Sequence, residues 1–132
     1  MKHLKEFENL NNMIPGMMYI TNNTNKTIGY INNNRGKMFP LTTIVFKQED
    51  EMFDNIYLTE FTILSFLIPL NISIKDYIIK NNIITETLNL LKYYKHYNKL
   101  SIESKNLCYE FYENLLEDED IQLIVNTNKY NL

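Results

Sequence analysis

The period of the apolar positions changes several times along the chain, and each change marks an expected element. Residues 2–12 space Leu4, Phe7 and Leu10 as the stripe of a short helix. Pro15-Gly16 breaks it. In "MMYITNNTNKTIGYINNN", residues 17–21 and 27–32 read as strands, and the polar stretch 22–26 is a loop between them. "NNNRGK" (32–37) is another turn, and "LTTIVFKQ" (41–48) is a third, β-branched strand. The simplest account is an antiparallel β-meander over about 17–48.

"EDEMFDN" (49–55) reads as an acidic loop or a helix start. The next stretch, "IYLTEFTILSFLIPLNISI" (56–74), carries a single charge, Glu60. Its length reaches that of a membrane span. Glu60, Pro69 and Asn71 are costly in lipid, however, and neither flank is strongly basic. The stretch is therefore expected to form a buried helix over about 59–68, ended by Pro69. Exposure of any part of 59–70 would favour a homodimer.

Ser73-Ile74-Lys75-Asp76 has the capping-box pattern and opens a helix over about 73–98, with an interruption at Asn81-Asn82. This helix ends in "KYYKHYNK" (92–99). At about 100° per residue, Lys92, Lys95 and Lys99 fall within about 60° of one another, and Leu90, Tyr93, Tyr94 and Tyr97 share the other side. The tyrosines are expected to face the core and the lysines solvent. Ile84, Leu88 and Leu91 lie on the lysine side, so the buried face must rotate or widen toward the start of the helix.

Ser101 is a favourable N-cap for a helix over about 102–116. Leu107, Cys108, Phe111, Tyr112 and Leu115 share its apolar face, and Glu103, Glu110, Glu113 and Glu117 the opposite one. "EDED" (117–120) ends it, an unfavourable place for acids against the helix dipole. "IQLIVNT" (121–127) reads as a last strand and "NKYNL" as a frayed tail. The fold class is thus α+β, with the meander packed against C-terminal helices.

The 132 residues suit one globular domain, 1–132. Such a chain buries about 65–70% of its unfolded surface and needs neither disulfide nor metal to fold. The net charge of −3 provides no global basic field for nucleic acid. With 20 Asn, 17 Ile and 10 Tyr but no Ala, usage follows A/T-rich codons. This suggests the genome of a phage, virus, mobile element or low-GC bacterium, and it discounts the abundance of Lys, Asn and Tyr as a functional signal. One cysteine, Cys108, excludes an intrachain disulfide and favours a reducing compartment. "MKHLKEFENLNN" has no apolar signal core, so the expected location is cytoplasmic, in the host cell if the gene is viral.

No catalytic constellation emerges. His3, His96 and Cys108 lack metal-ligand spacing, the acids of 48–54 lack a calcium-loop pattern, and the three glycines cannot form a phosphate loop. Glu103-Ser104-Lys105 resembles half of a nuclease site but lacks a partner aspartate. The expectation is no enzyme, no metal and no cofactor. The chain reads as a small interaction protein, an accessory protein or inhibitor that binds a host protein complex. Its partner-binding surface would be the acidic helix, with Glu103, Glu110, Glu113, Glu117, Asp118, Glu119 and Asp120, facing a basic or nucleic-acid-binding protein. One alternative is an RNA- or DNA-binding module using Lys92, Lys95, Lys99 and Tyr93. Another is a ligand-binding protein or enzyme with an unrecognised pocket.

Overall fold

The computed structural model of the protein describes residues 14–21, 26–31, 41–49, 52–61, 67–94 and 99–130. Five strands come first: β1 (Met17–Thr21), β2 (Thr27–Tyr30), β3 (Leu41–Glu49), β4 (Met52–Phe61) and β5 (Leu67–Ser73). They form one antiparallel sheet in the order β4-β3-β2-β1-β5. The expected meander is β1, β2 and β3, with Met18 opposite Gly29 and Gly29 opposite Ile44. The expected helix over 2–12 and the turn over 32–37 lie outside the described residues.

Two expectations fail in the middle of the chain. Of residues 49–55, expected as a loop or a helix start, Glu49 ends β3 and 52–55 open β4, with Glu49 opposite Met52; 50 and 51 lie outside the described residues. Nor is the helix expected over 59–68 found where that stretch is described: β4 runs to Phe61 and β5 begins at Leu67, and 62–66 lie outside the described residues. The physical reason is that the sheet is buried on both faces. Ile56, Leu58 and Glu60 point to the helices, while Tyr57 points the other way. Apolar residues on both sides hide the strand period and imitate a buried helix. Pro69 sits in edge strand β5, where a missing N–H is tolerated.

The four helices of the described residues pack on one face of the sheet. There Met18, Ile44, Phe46 and Leu58 meet Ile74, Ile78, Leu91, Cys108, Leu115 and Ile121 in one cluster. Tyr19, Ile28, Tyr30 and Val45 form a second buried cluster on the other face. The first helix sits very close to the sheet. A Cβ added to Gly29 would lie 2.8 Å from Ile74 Cγ1, so only glycine lets Ile74 seat on β2. Gly16 (φ 85°) anchors the same place. Its N–H donates to Tyr30 O at 2.6 Å, and its carbonyl accepts from Ile74 N at 2.7 Å.

The helices are α1 (Ile74–Lys80), α2 (Ile84–Tyr94), α3 (Ile102–Glu117) and α4 (Glu119–Tyr130). The Ser73 hydroxyl caps α1 by accepting from Asp76 N at 3.1 Å. The Asn81-Asn82 interruption separates α1 from α2. The strand expected over 121–127 is instead helical, and the expected tail is helical to Tyr130. Ile121 is buried, and Ile124 and Val125 pack on the same cluster, a three- and four-residue spacing that suits a helix. Their β-branching gives the segment its strand-like composition, and tertiary packing overrides it.

Candidate partner-binding surface

Helix α3 is held to the sheet by a hydrogen-bond chain at its N-terminus. Ser101 caps it, its hydroxyl accepting from Ser104 N at 3.2 Å. Glu60 of β4 reaches the same point, accepting from Ser101 N at 3.0 Å and from Ser101 Oγ at 3.2 Å. Ser101 Oγ lies 3.0 Å from Ser104 Oγ, which lies 2.9 Å from Thr42 Oγ1 in the buried interior. The one proton of the Ser101 hydroxyl is shared between two acceptors, Glu60 Oε1 on β4 and Ser104 Oγ, so the cap links the sheet edge to the buried Thr42–Ser104 pair. The lone charge of the apolar segment 56–74 therefore serves as the anion at the positive end of α3.

The buried side of α3 follows the sequence expectation. Cys108 and Leu115 are buried, and Phe111 and Tyr112 pack against the core. Burial, with the Glu60 charge adding to it, pushes the Cys108 thiol up to about 12. At neutral pH it is a protonated, enclosed thiol.

The opposite side carries the acids. Glu103, Glu110 and Glu117 are exposed, and Glu113 is half-exposed and accepts from the Tyr109 hydroxyl. Two large apolar side chains stand among them in solvent, Ile102 (75% exposed) and Tyr109 (42% exposed). Their exposure follows from the helical period, which puts both on the acid side. The outer face of α3 is therefore mixed, acidic and apolar together.

The run 117–120 has a different structural task from the one its sequence suggests. Asp118 is a one-residue junction between α3 and α4. Its Oδ1 accepts from Asp120 N at 2.9 Å and from Ile121 N at 3.2 Å. Glu119 and Asp120 stand in the first turn of α4, where acids favour the dipole. Lys75 of α1 pairs with Asp118 and Asp120, both at 2.9 Å. These pairs hold the Asp118 carboxyl below its usual range and raise the Lys75 ammonium. Of the expected partner-binding acids, Asp118 and Asp120 are thus engaged within the chain.

The second expected site is only partly assembled as anticipated. Lys92 and Lys99 are exposed, and Lys95 lies outside the described residues. Tyr93 is not in the core: it is 62% exposed, beside Lys92, with its ring edge-to-face on Tyr94 at 5.4 Å between centroids. The buried line of α2 runs straight through Ile84, Thr87 and Leu91 and ends at half-buried Tyr94. It does not rotate, and Tyr93 falls opposite it.

Among the described residues, no group of three or more His, Cys, Asp or Glu side chains converges as a metal would need, and no helix is long and apolar enough to cross a membrane. The chain matches no family model, no curated protein and no solved structure.

Proposed function

We propose that this protein acts by binding another protein through the outer face of α3, without catalysis of its own. The observation that carries this reading is the exposure of Ile102 and Tyr109 among Glu103, Glu110, Glu113 and Glu117. Apolar side chains supply affinity on desolvation, and surrounding acids steer and select a basic partner. The partner is a basic protein, such as one that itself binds nucleic acid, and the setting is the cytoplasm of a host cell. The A/T-biased residue usage supports an accessory protein or inhibitor from a phage, virus or mobile element.

The test is affinity capture from the source cell with the wild type and with Glu103→Lys/Glu110→Lys/Glu117→Lys. These side chains are solvent-exposed, so the variant should fold normally while losing the captured partner. Capture unchanged by the triple reversal would rule this surface out.

A second reading has one specific observation in its favour, the exposed Tyr93 ring next to exposed Lys92, with Lys99 nearby in sequence. A base can stack on such a ring beside a phosphate contact. In that case an RNA or DNA oligonucleotide is retarded in a gel at low salt and released as salt rises. No retardation at low salt would dispose of it.

A further inference from the structure

The outer face of α3 has an internal symmetry that its acidity conceals. Ile102, Lys105, Tyr109, Glu113 and Leu116 lie in one strip about 80° wide. Their chemistry is ordered about Tyr109. Four positions before it stands a cation, Lys105, and four positions after it an anion, Glu113. Seven positions away on either side stand two aliphatic residues, Ile102 and Leu116.

We infer that this strip pairs with the same strip of a second copy of the chain, as an antiparallel α3–α3 contact with its two-fold axis at Tyr109. In that register Lys105 of each copy meets Glu113 of the other, so the ion pair forms twice. Ile102 of each copy meets Leu116 of the other, and the two Tyr109 rings meet across the axis. A parallel pairing would set Lys105 against Lys105 and Glu113 against Glu113, which like-charge repulsion disfavours. An isologous contact of this kind closes on itself and stops at two chains.

The pairing competes with the proposed docking for Ile102, Tyr109 and Glu113, and leaves the remaining acids of the helix uncovered. Glu103, Glu110 and Glu117 also repeat every seven residues, along a line about 100° around the helix from the strip. In the pair this acidic ridge faces outward on both copies, so the dimer presents it twice. The contact itself is modest. A 16-residue helix is a rod about 24 Å long. One such helix pair lies at or below the small end of specific interfaces, roughly 1,200 Å² in total. The dimer should therefore assemble and dissociate with protein concentration.

Charge exchange tests it. In sedimentation velocity across a concentration series, the wild type should shift from the mass of one chain toward two. Lys105→Glu alone, or Glu113→Lys alone, puts like charges at both symmetric contacts and should weaken pairing at least about 10-fold. The double variant K105E/E113K restores opposite charges and should restore the shift. A wild type that stays monomeric, or a double variant no more dimeric than the singles, would overturn the inference. Should the charge variants fold poorly, Tyr109→Cys gives a second measurement. Mild oxidation should join it through position 109 into covalent dimers, whereas Asn114→Cys, about 120° around the helix from Ile102, should stay single. Equal crosslinking at both positions would also overturn it. Rescue by exchange within one chain type distinguishes self-pairing from docking, because a different basic partner would gain nothing from the second substitution.

Discussion

The two tight helix junctions solve one problem in opposite ways. Between α1 and α2 the chain uses backbone and one neutral side chain, Asn81, whose Nδ2 donates to Tyr77 O at 2.9 Å. Asn82 adopts a left-handed conformation (φ 56°), its N–H donates to Ile79 O at 3.1 Å, and Ile83 N–H donates to Ile78 O at 3.0 Å. This is a Schellman closure with asparagine where glycine is usual. Between α3 and α4 the chain uses charge. Asp118 accepts from two amides of the next helix and pairs with Lys75, which ties α1 to the same point. The first closure is local and neutral. The second reaches across the sequence and depends on ionisation.

Three substitutions would break that contrast, taken from the largest expected effect. Asn82→Val forces a β-branched residue into left-handed backbone, at a cost of about 1–2 kcal/mol in urea unfolding. That loss should be the same at every pH, and Asn82→Gly should remove it. Next, Asp118→Ala should lower the thermal midpoint by a smaller amount, and only where Asp118 is ionised. Its pairing with Lys75 lowers the carboxyl below the ordinary aspartate value. The contribution is therefore complete above about pH 4 and fades as pH falls through the lowered value. Melts of the wild type and Asp118→Ala should converge in acid, while Asn82→Val stays apart. Last, Lys75→Met keeps the Asp118 cap but removes both ion pairs. Its small deficit at neutral pH should shrink with added salt. At the alkaline end, Lys75 is raised by its two partners, so its contribution persists to about pH 10.5 and fades only as pH rises through the raised value.

What the sequence reveals of the fold depends on how many faces of an element are buried. Helix α3 has one dry face and one wet face, and its period and Ser101 cap mark it unambiguously. The meander is legible because polar residues separate its strands. Residues 56–61 are not, because the sheet presents them to apolar neighbours on both sides. Helix α4 is misleading for a different reason: Ile121, Ile124 and Val125 have strand-like composition at helical spacing. The same division runs through the candidate surface. The angular positions of Glu103, Glu110 and Glu117 follow from the helical period, and so does the placing of Ile102 and Tyr109 on their side. The engagement of Asp118 and Asp120 by Lys75, more than forty positions earlier, does not. Neither does the outward Tyr93, because the choice of buried line in α2 depends on which neighbours it packs against.

The link between Glu60 and Ser101 has a kinetic consequence. A carboxylate on β4 completes the N-terminus of a helix whose N-cap lies 41 positions later. Ser101 caps the first turn of α3 locally, but the amide of Ser101 itself waits for β4 to dock. α3 can therefore nucleate early and still gain its last support only when the sheet is in place. Loosening that edge of the sheet, by heat or by a bound molecule, would then be felt first at Ile102, next to the cap. The strand that carries Glu60 thus acts as a latch on the outer face of α3.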